Sequence, residues 1–261
     1  LGATFHEDIN VFSETRNDLN GNLQKGEGDL FNYHYDMVSS RFDTFLQGQY
    51  TGKNWMGFLG LGLSSLSSQR TGRFQNERFL SNSVGAGDKI GISSVSVKGG
   101  GRYFLTGRHF FEANLGQLQA PPALQNLYIN PRENQLQIDQ PQPENITTVD
   151  LGYHFRLPKL TGRLTAYYTR FQTGNDINFF FVDSGLGSDF VQETVTDLDQ
   201  LHKGFELGIE YAFSPTTTFS LAANLGEYVY ANAPEIEINF DPSGDPETLI
   251  DASGNKNLGF A

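Results

Sequence analysis

Strand-like segments in this chain are separated by gaps that alternate short, long, short, long. The tight gaps fall at residues 51–54, 106–107, 157–162 and 214–217, and the long polar ones at about 72–93, 118–144, 172–200 and 232–261. Structureless loops beyond roughly 12–15 residues are uncommon inside compact domains. Four of them, always on the same side of an up-and-down meander, therefore constrain the fold strongly. They predict a sheet with a turn side and a loop side.

Period-two alternation supports this reading. Val149, Leu151, Tyr153 and Phe155 alternate with Asp150, Gly152, His154 and Arg156. Phe205, Leu207, Ile209, Tyr211 and Phe213 alternate with Glu206, Gly208, Glu210 and Ala212, and Phe219, Leu221, Ala223 and Leu225 continue the pattern. Such strands are apolar on one face and wet on the other. The first half is noisier, and residues 161–171 are ambiguous because Tyr167 and Phe171 lie opposite Leu164, Ala166 and Tyr168. Eight strands are expected, at about 30–50, 54–70, 94–105, 108–117, 146–156, 161–171, 201–213 and 218–231, all within a single domain over 1–261.

Which face is apolar decides between a sandwich and a barrel in lipid. The hydrophobic fraction is 38% and the mean hydropathy -0.40, low for one dry core, while 22 Phe and 11 Tyr are many for so polar a chain. No stretch of about 18 apolar residues occurs, which excludes a spanning helix but not a spanning barrel, whose lipid face uses alternate residues only. Tyr50, Trp55, Tyr103, Phe110, Phe155, Phe213 and Phe219 all lie near a tight turn. Rings gather in this way at a membrane–water interface, although they would also cap a sandwich core. The opposite face carries Lys98, Arg102, Glu112, Asp150, His154, Arg156, Glu206 and Glu210, which suits a wide wet lumen better than a packed interior. The predicted fold is therefore all-β, an antiparallel up-and-down transmembrane β-barrel. Gly99-Gly100-Gly101 marks either a close backbone approach or a bulge.

The net charge of -12 leaves no basic footprint for nucleic acid. The acids gather in the long gaps, from Asp189 to Asp199 and from Glu235 to Asp251, as solvated loop charge. With no Cys there is neither a disulfide framework nor a thiolate metal site. No cationic segment followed by an apolar one begins at Leu1, so an exported protein is expected here as a mature form or a piece. The polar stretches Asn17–Gly28 and Asp241–Ala261 both belong to the loop side, which suggests an internal arc of about eight strands from a larger barrel.

Hydrolase, nucleotide-loop and zincin signatures are missing, and His6, His34, His109, His154 and His202 show no ligand spacing. No enzymatic role, cofactor or metal is expected. Asp18-Leu19-Asn20-Gly21-Asn22 and residues 251–257 resemble calcium loops but lack the bidentate acid, and read as Asx turns. For ligand contact the sequence offers Tyr128, Asn130, Arg132, Asn134 and Gln135, which combine an aromatic, amides and a cation in one long loop. Phe179, Phe180 and Phe181 are read as a strand extending past the membrane, the alternative being an aromatic platform.

Four motifs, in order and at fitting spacing, resemble the TonB-dependent outer-membrane receptors. They are Ser96-Val97-Lys98-Gly99-Gly100-Gly101-Arg102-Tyr103 with Phe110-Phe111-Glu112-Ala113-Asn114-Leu115-Gly116; Ala120-Pro121-Pro122 through Asn126-Leu127-Tyr128-Ile129-Asn130-Pro131-Arg132; Pro143-Glu144-Asn145-Ile146-Thr147 running into Val149-Asp150-Leu151-Gly152-Tyr153; and Leu201-His202-Lys203-Gly204-Phe205-Glu206. They cover 96–230, with a looser match over 30–70. The resemblance implies a segment of a 22-stranded outer-membrane barrel, closed by a plug domain that this sequence does not contain. Such a barrel imports a scarce small polar ligand (siderophore, cobalamin, peptide or glycan) with energy from TonB. Implied partners are outer-membrane lipid, TonB acting through the plug, and a surface lipoprotein. The alternatives are a complete small outer-membrane barrel, adhesin or channel, and a soluble β-rich glycan-binding module.

Overall fold

The computed structural model describes residues 2–10, 16–17, 24–25, 29–76, 79–183, 188–240 and 247–250. Its strands are β1 (Gly2–Asn10), β2 (Arg16–Asn17), β3 (Gln24–Lys25), β4 (Leu30–Thr51), β5 (Trp55–Gly72), β6 (Gly85–Ala86), β7 (Ile90–Thr106), β8 (His109–Ala120), β9 (Glu144–Arg156), β10 (Leu160–Asp183), β11 (Ser188–Ser214), β12 (Thr217–Tyr230), β13 (Glu235–Phe240) and β14 (Glu247–Ile250). A single 3-10 turn, Leu124–Leu127, interrupts the loop between β8 and β9. One 12-stranded sheet runs in the order β1-β4-β5-β7-β8-β9-β10-β11-β13-β14, with β12 also on β11 and β6 on β5, while β2 and β3 pair separately. Every pairing is antiparallel, so the path is an up-and-down meander.

The tight connections are built from local chemistry. The Thr106 hydroxyl accepts from the backbone N–H of Arg108 at 3.1 Å and of His109 at 3.2 Å, which closes the β7–β8 turn. The Gly52 N–H donates to the Trp55 carbonyl at 2.8 Å beneath stacked Tyr50 and Trp55 rings 4.7 Å apart.

Register turns alternation into two continuous faces. One row across the sheet joins Trp55, Tyr103, Phe111, Tyr153 and Leu164 through consecutive pairings. The next joins Gly57, Gly101, Ala113, Leu151, Ala166, Phe205 and Leu225. Leu59, Leu61, Leu63, Leu115, Leu151, Phe205, Phe213, Phe219, Leu221 and Leu225 on this face are exposed. An exposed apolar band spanning the sheet, edged by aromatics at the tight-turn side, is the outer face of a membrane barrel. Its upper limit on β11 and β12 is the Lys203–Glu227 ion pair, 3.0 Å long.

Two differences from the sequence expectation stand out. The segment before Asn17 holds a strand: β1 pairs with the upper half of β4, from Gly2 opposite Ser40 to Asn10 opposite Leu30. With β13 and β14, which fall in the gap expected at 232–261, the sheet's main order has ten strands rather than eight, and β12 pairs beside it on β11. The gap expected at 172–200 is not a loop either, because β10 and β11, 24 and 27 residues long, pair up to Asp183 opposite Ser188. A membrane crossing needs only about 9–11 residues, so this hairpin projects beyond the apolar band. Phe179 and Phe180 lie within it as strand residues, both exposed. The calcium-like segments at 18–22 and 251–257 lie outside the described residues.

Candidate functional site

On the face opposite the apolar band, residues 121–143 fold back as a strap against the upper wall. Alternation places Tyr35 and Met37 of β4, Leu66, Ser68 and Arg70 of β5, and Ile90 and Ile92 of β7 on this face, all buried. Leu127 and Tyr128 of the strap enter the same cluster, with Tyr33 and Leu124 at its margin. This is the main hydrophobic core among the described residues, and the strap makes it.

Arg70 is the central tie. It is 1% exposed, its Nε donates to the Pro131 carbonyl at 2.7 Å, and its Nη1 donates to the Ser83 carbonyl at 3.1 Å. Its guanidinium carbon also lies 5.0 Å from the centre of the Tyr35 ring. Burial pulls the guanidinium pKa down to about 10, so it stays charged at neutral pH. Beside it the Tyr128 hydroxyl lies 3.4 Å from the Ser68 Oγ, and burial raises that phenol's pKa.

The five residues singled out in the sequence part company here. Tyr128 and Asn134 are fully buried. The Asn134 Oδ1 accepts the Leu136 N–H at 2.9 Å, which shapes the strap's own turn. Gln135 donates from Nε2 to the Gly85 carbonyl at 2.8 Å and the Val84 carbonyl at 3.2 Å, stitching the strap to the 73–89 loop. Asn130 is half-buried and uses its carbonyl to accept the N–H groups of Glu133 and Asn134. Arg132 is exposed, its guanidinium carbon 5.4 Å from the Tyr33 ring centre. Arg132 is therefore the one of the five that is exposed, Asn130 is half-buried, and the other three seat the strap.

A second tether was not legible in the sequence. Asp199 of β11 accepts from Arg170 Nη2 at 2.9 Å through one carboxylate oxygen and from the Thr173 N–H at 3.3 Å through the other. The Thr173 hydroxyl donates to the Pro143 carbonyl at 3.1 Å, and Asn126 Nδ2 donates to the Asn175 carbonyl at 2.8 Å. Both ends of the strap are thereby fixed to the base of the projecting hairpin. The geometry requires bulges: Thr173 and Asp197 have φ of 59° and 55°, and the β10–β11 register shifts between Phe171 and Asp176. Thr173 is β-branched, a residue type that seldom adopts a positive φ, whereas Asp adopts one more readily.

Lower on the same face, within the membrane span, Arg102 Nε donates to Glu112 Oε2 at 2.7 Å, and Asn114 Nδ2 donates to Glu112 Oε1 at 3.2 Å. The His154 ring stacks on Phe110 at 4.4 Å and 7°, with its Nε2 3.7 Å from the same carboxylate. Arg163 and Glu206 approach to 3.6 Å. This polar wall fits a wet lumen and would be costly against lipid. Among the described residues, no three His, Cys, Asp or Glu side chains are placed to hold a metal ion.

The arrangement has counterparts among known proteins. Among solved structures, the copper transporter OprC is similar in fold, with a TM-score of 0.56 and 17% identity over 86% of this chain and 39% of that one. This chain thus spans about 39% of that protein's length. No curated protein matches it. The family model described as TonB dependent receptor-like, beta-barrel matches residues 2–257. The apolar band, the polar inner wall and the loop-side strap are thus those of a chain that belongs to the TonB-dependent receptor-like β-barrel family.

Proposed function

We propose that this chain forms part of the wall of an outer-membrane transporter that takes up a scarce small polar ligand with energy supplied through TonB. The observation that carries the reading is the opposition of the two faces. Leu151 and Phe205 are turned to lipid, while Arg102, Glu112 and the strap over Arg70 occupy the inner side. Among the described residues, β12 and the Arg41–Thr51 part of β4 each pair with one neighbour only. Unpaired edges cannot face hydrocarbon, which supports an arc of a wider single barrel, 22-stranded in the fold this family suggests. The strap would present Asn130 and Arg132 to the ligand, with Tyr128, Asn134 and Gln135 holding it in place. A plug, TonB and a surface lipoprotein are the partners of this reading.

The test is uptake by cells carrying or lacking the gene, in backgrounds with and without TonB, across ferric siderophores, cobalamin, peptides and glycans. Uptake of one class that needs both the gene and TonB is expected. An Arg132→Ala change should raise the half-saturating concentration for that class about tenfold, the loss of one charge-assisted hydrogen bond. Uptake of every class independent of the gene would overturn the proposal.

A further inference from the structure

The outer face carries a depression that a smooth lipid-facing wall does not need. Its floor follows the row Gly101, Ala113, Leu151 and Ala166, three small residues with Leu151 between Ala113 and Ala166, and its rim includes Trp55, Tyr103 and Phe205. The volume is about 570 Å³, and the residues on the outer face that line it are apolar. It lies at the tight-turn edge of the band, since Trp55 opens β5 directly after the first turn and Tyr103 sits three residues before the end of β7.

The turns beneath it share a property. Lys53 lies between β4 and β5, Arg108 between β7 and β8, and Lys159 between β9 and β10. All three are exposed, and no Asp or Glu occupies those turns or the Pro215-Thr216 turn that follows. In a chain of net charge -12 this makes the turn rim a local band of positive charge. Of the strands joined by those three turns, β5, β7, β8, β9 and β10 line the depression, and β11 adds Phe205.

We infer that this depression is a docking site for an anionic glycerophospholipid of the leaflet on the tight-turn side. One acyl chain lies over Gly101, Ala113 and Ala166, and the phosphate meets Arg108 and its neighbours Lys53 and Lys159. An acyl chain needs an apolar floor, which Gly101, Ala113, Leu151 and Ala166 supply, while the indole and phenol groups of Trp55, Tyr103 and Tyr153 stand at the rim. A phosphate at the interface needs cations within a Debye length, about 8–10 Å in physiological salt, and with no acid among them. The aromatic rim adds flat amphipathic rings at headgroup level. The site rests on the membrane-barrel reading above but is independent of the cargo.

The chain has one tryptophan, and it lines the site. The whole barrel containing this arc, with any tryptophan outside the arc changed to phenylalanine, is reconstituted in phosphatidylcholine bilayers containing a minority of phosphatidylglycerol, with bromine on the acyl chains of one lipid or the other, and Trp55 emission is recorded. Brominated phosphatidylglycerol should quench Trp55 several-fold beyond its mole fraction. Lys53→Gln, Arg108→Gln and Lys159→Gln should each lower that preference, by about fivefold for a fully engaged cation. Ala113→Phe, which fills the floor, should reduce it without lowering quenching by brominated phosphatidylcholine. Quenching in proportion to mole fraction for both lipids, or a preference that survives Ala113→Phe, would overturn the site and leave the barrel reading standing. Absence of quenching by either lipid would overturn the membrane reading itself.

Discussion

Arg70 Nε donates to the Pro131 carbonyl at 2.7 Å, so a buried cation on the barrel wall holds a loop residue 61 positions later in the chain. With its second bond to Ser83, the same guanidinium fixes two loop-side segments at once. Arg70→Ala leaves both carbonyls without their donor and removes a side chain that fills the core. A loss of about 2–4 kcal/mol is expected. Hydrogen exchange should show the loss as faster exchange in 121–143 and 79–86 together, with β8 and β9 unchanged.

Tyr128 separates packing from ligand contact. Tyr128→Phe removes the hydroxyl's 3.4 Å contact to Ser68 and its hydrogen bond to the Arg70 backbone, and should cost about 1–2 kcal/mol. Tyr128→Ala opens a cavity beside Leu127 and Met37 and should cost about 3–5 kcal/mol. Denaturant titration of both variants without ligand checks this. Equal stability of the two would mean that the ring is not seated in the core.

Gly204 lies opposite Gly226, with the Tyr167 hydroxyl above the pair. A Cβ on Gly204 would sit 2.4 Å from the Leu225 carbonyl and 2.7 Å from the Gly226 Cα, both backbone atoms that cannot swing aside. Gly204→Ala should therefore force the strands apart and destabilise by about 1–3 kcal/mol. Gly208→Ala, where nothing lies within 4 Å of the added carbon, should be near neutral. Thermal unfolding of the two variants gives the comparison.

Burial raises the Glu144 carboxyl above the ordinary range, and Glu144 stands at the loop-side start of β9, above the apolar band. The folded state then holds this proton more tightly than the unfolded one. Its contribution to stability is present at low pH and is lost as pH rises from the usual carboxylate range through the folded value. Glu144→Gln should flatten that part of the stability–pH curve, raising stability at neutral pH more than at pH 4. A curve unchanged by the substitution would exclude Glu144 as its source.

Alternation was legible wherever the two faces meet different solvents. Phe205, Leu207, Ile209, Tyr211 and Phe213 could be assigned to one face because lipid on one side and water on the other demand period two. Above the membrane both faces of β10 and β11 are wet, so the pattern lapses, and the 172–200 gap read as a loop apart from the strand expected at Phe179–Phe181, although β10 and β11 pair up to Asp183 opposite Ser188. β1 was missed for the same reason, since it pairs with the upper half of β4.

The strap marks the other limit. Sequence alone determined that a polar, proline-flanked segment joins β8 to β9 on the loop side, and that the wall carries an apolar and a charged face. Only the tertiary structure decided that the segment turns inward, that Tyr128 and Asn134 are buried while Arg132 is exposed, and that Arg70 and Asp199 hold it. Alternation is a local property, fixed by the solvent on each side of a strand. The seat of a loop depends on partners such as Ser68, Arg70 and Thr173, dozens of residues away, whose proximity exists only after the strands have paired.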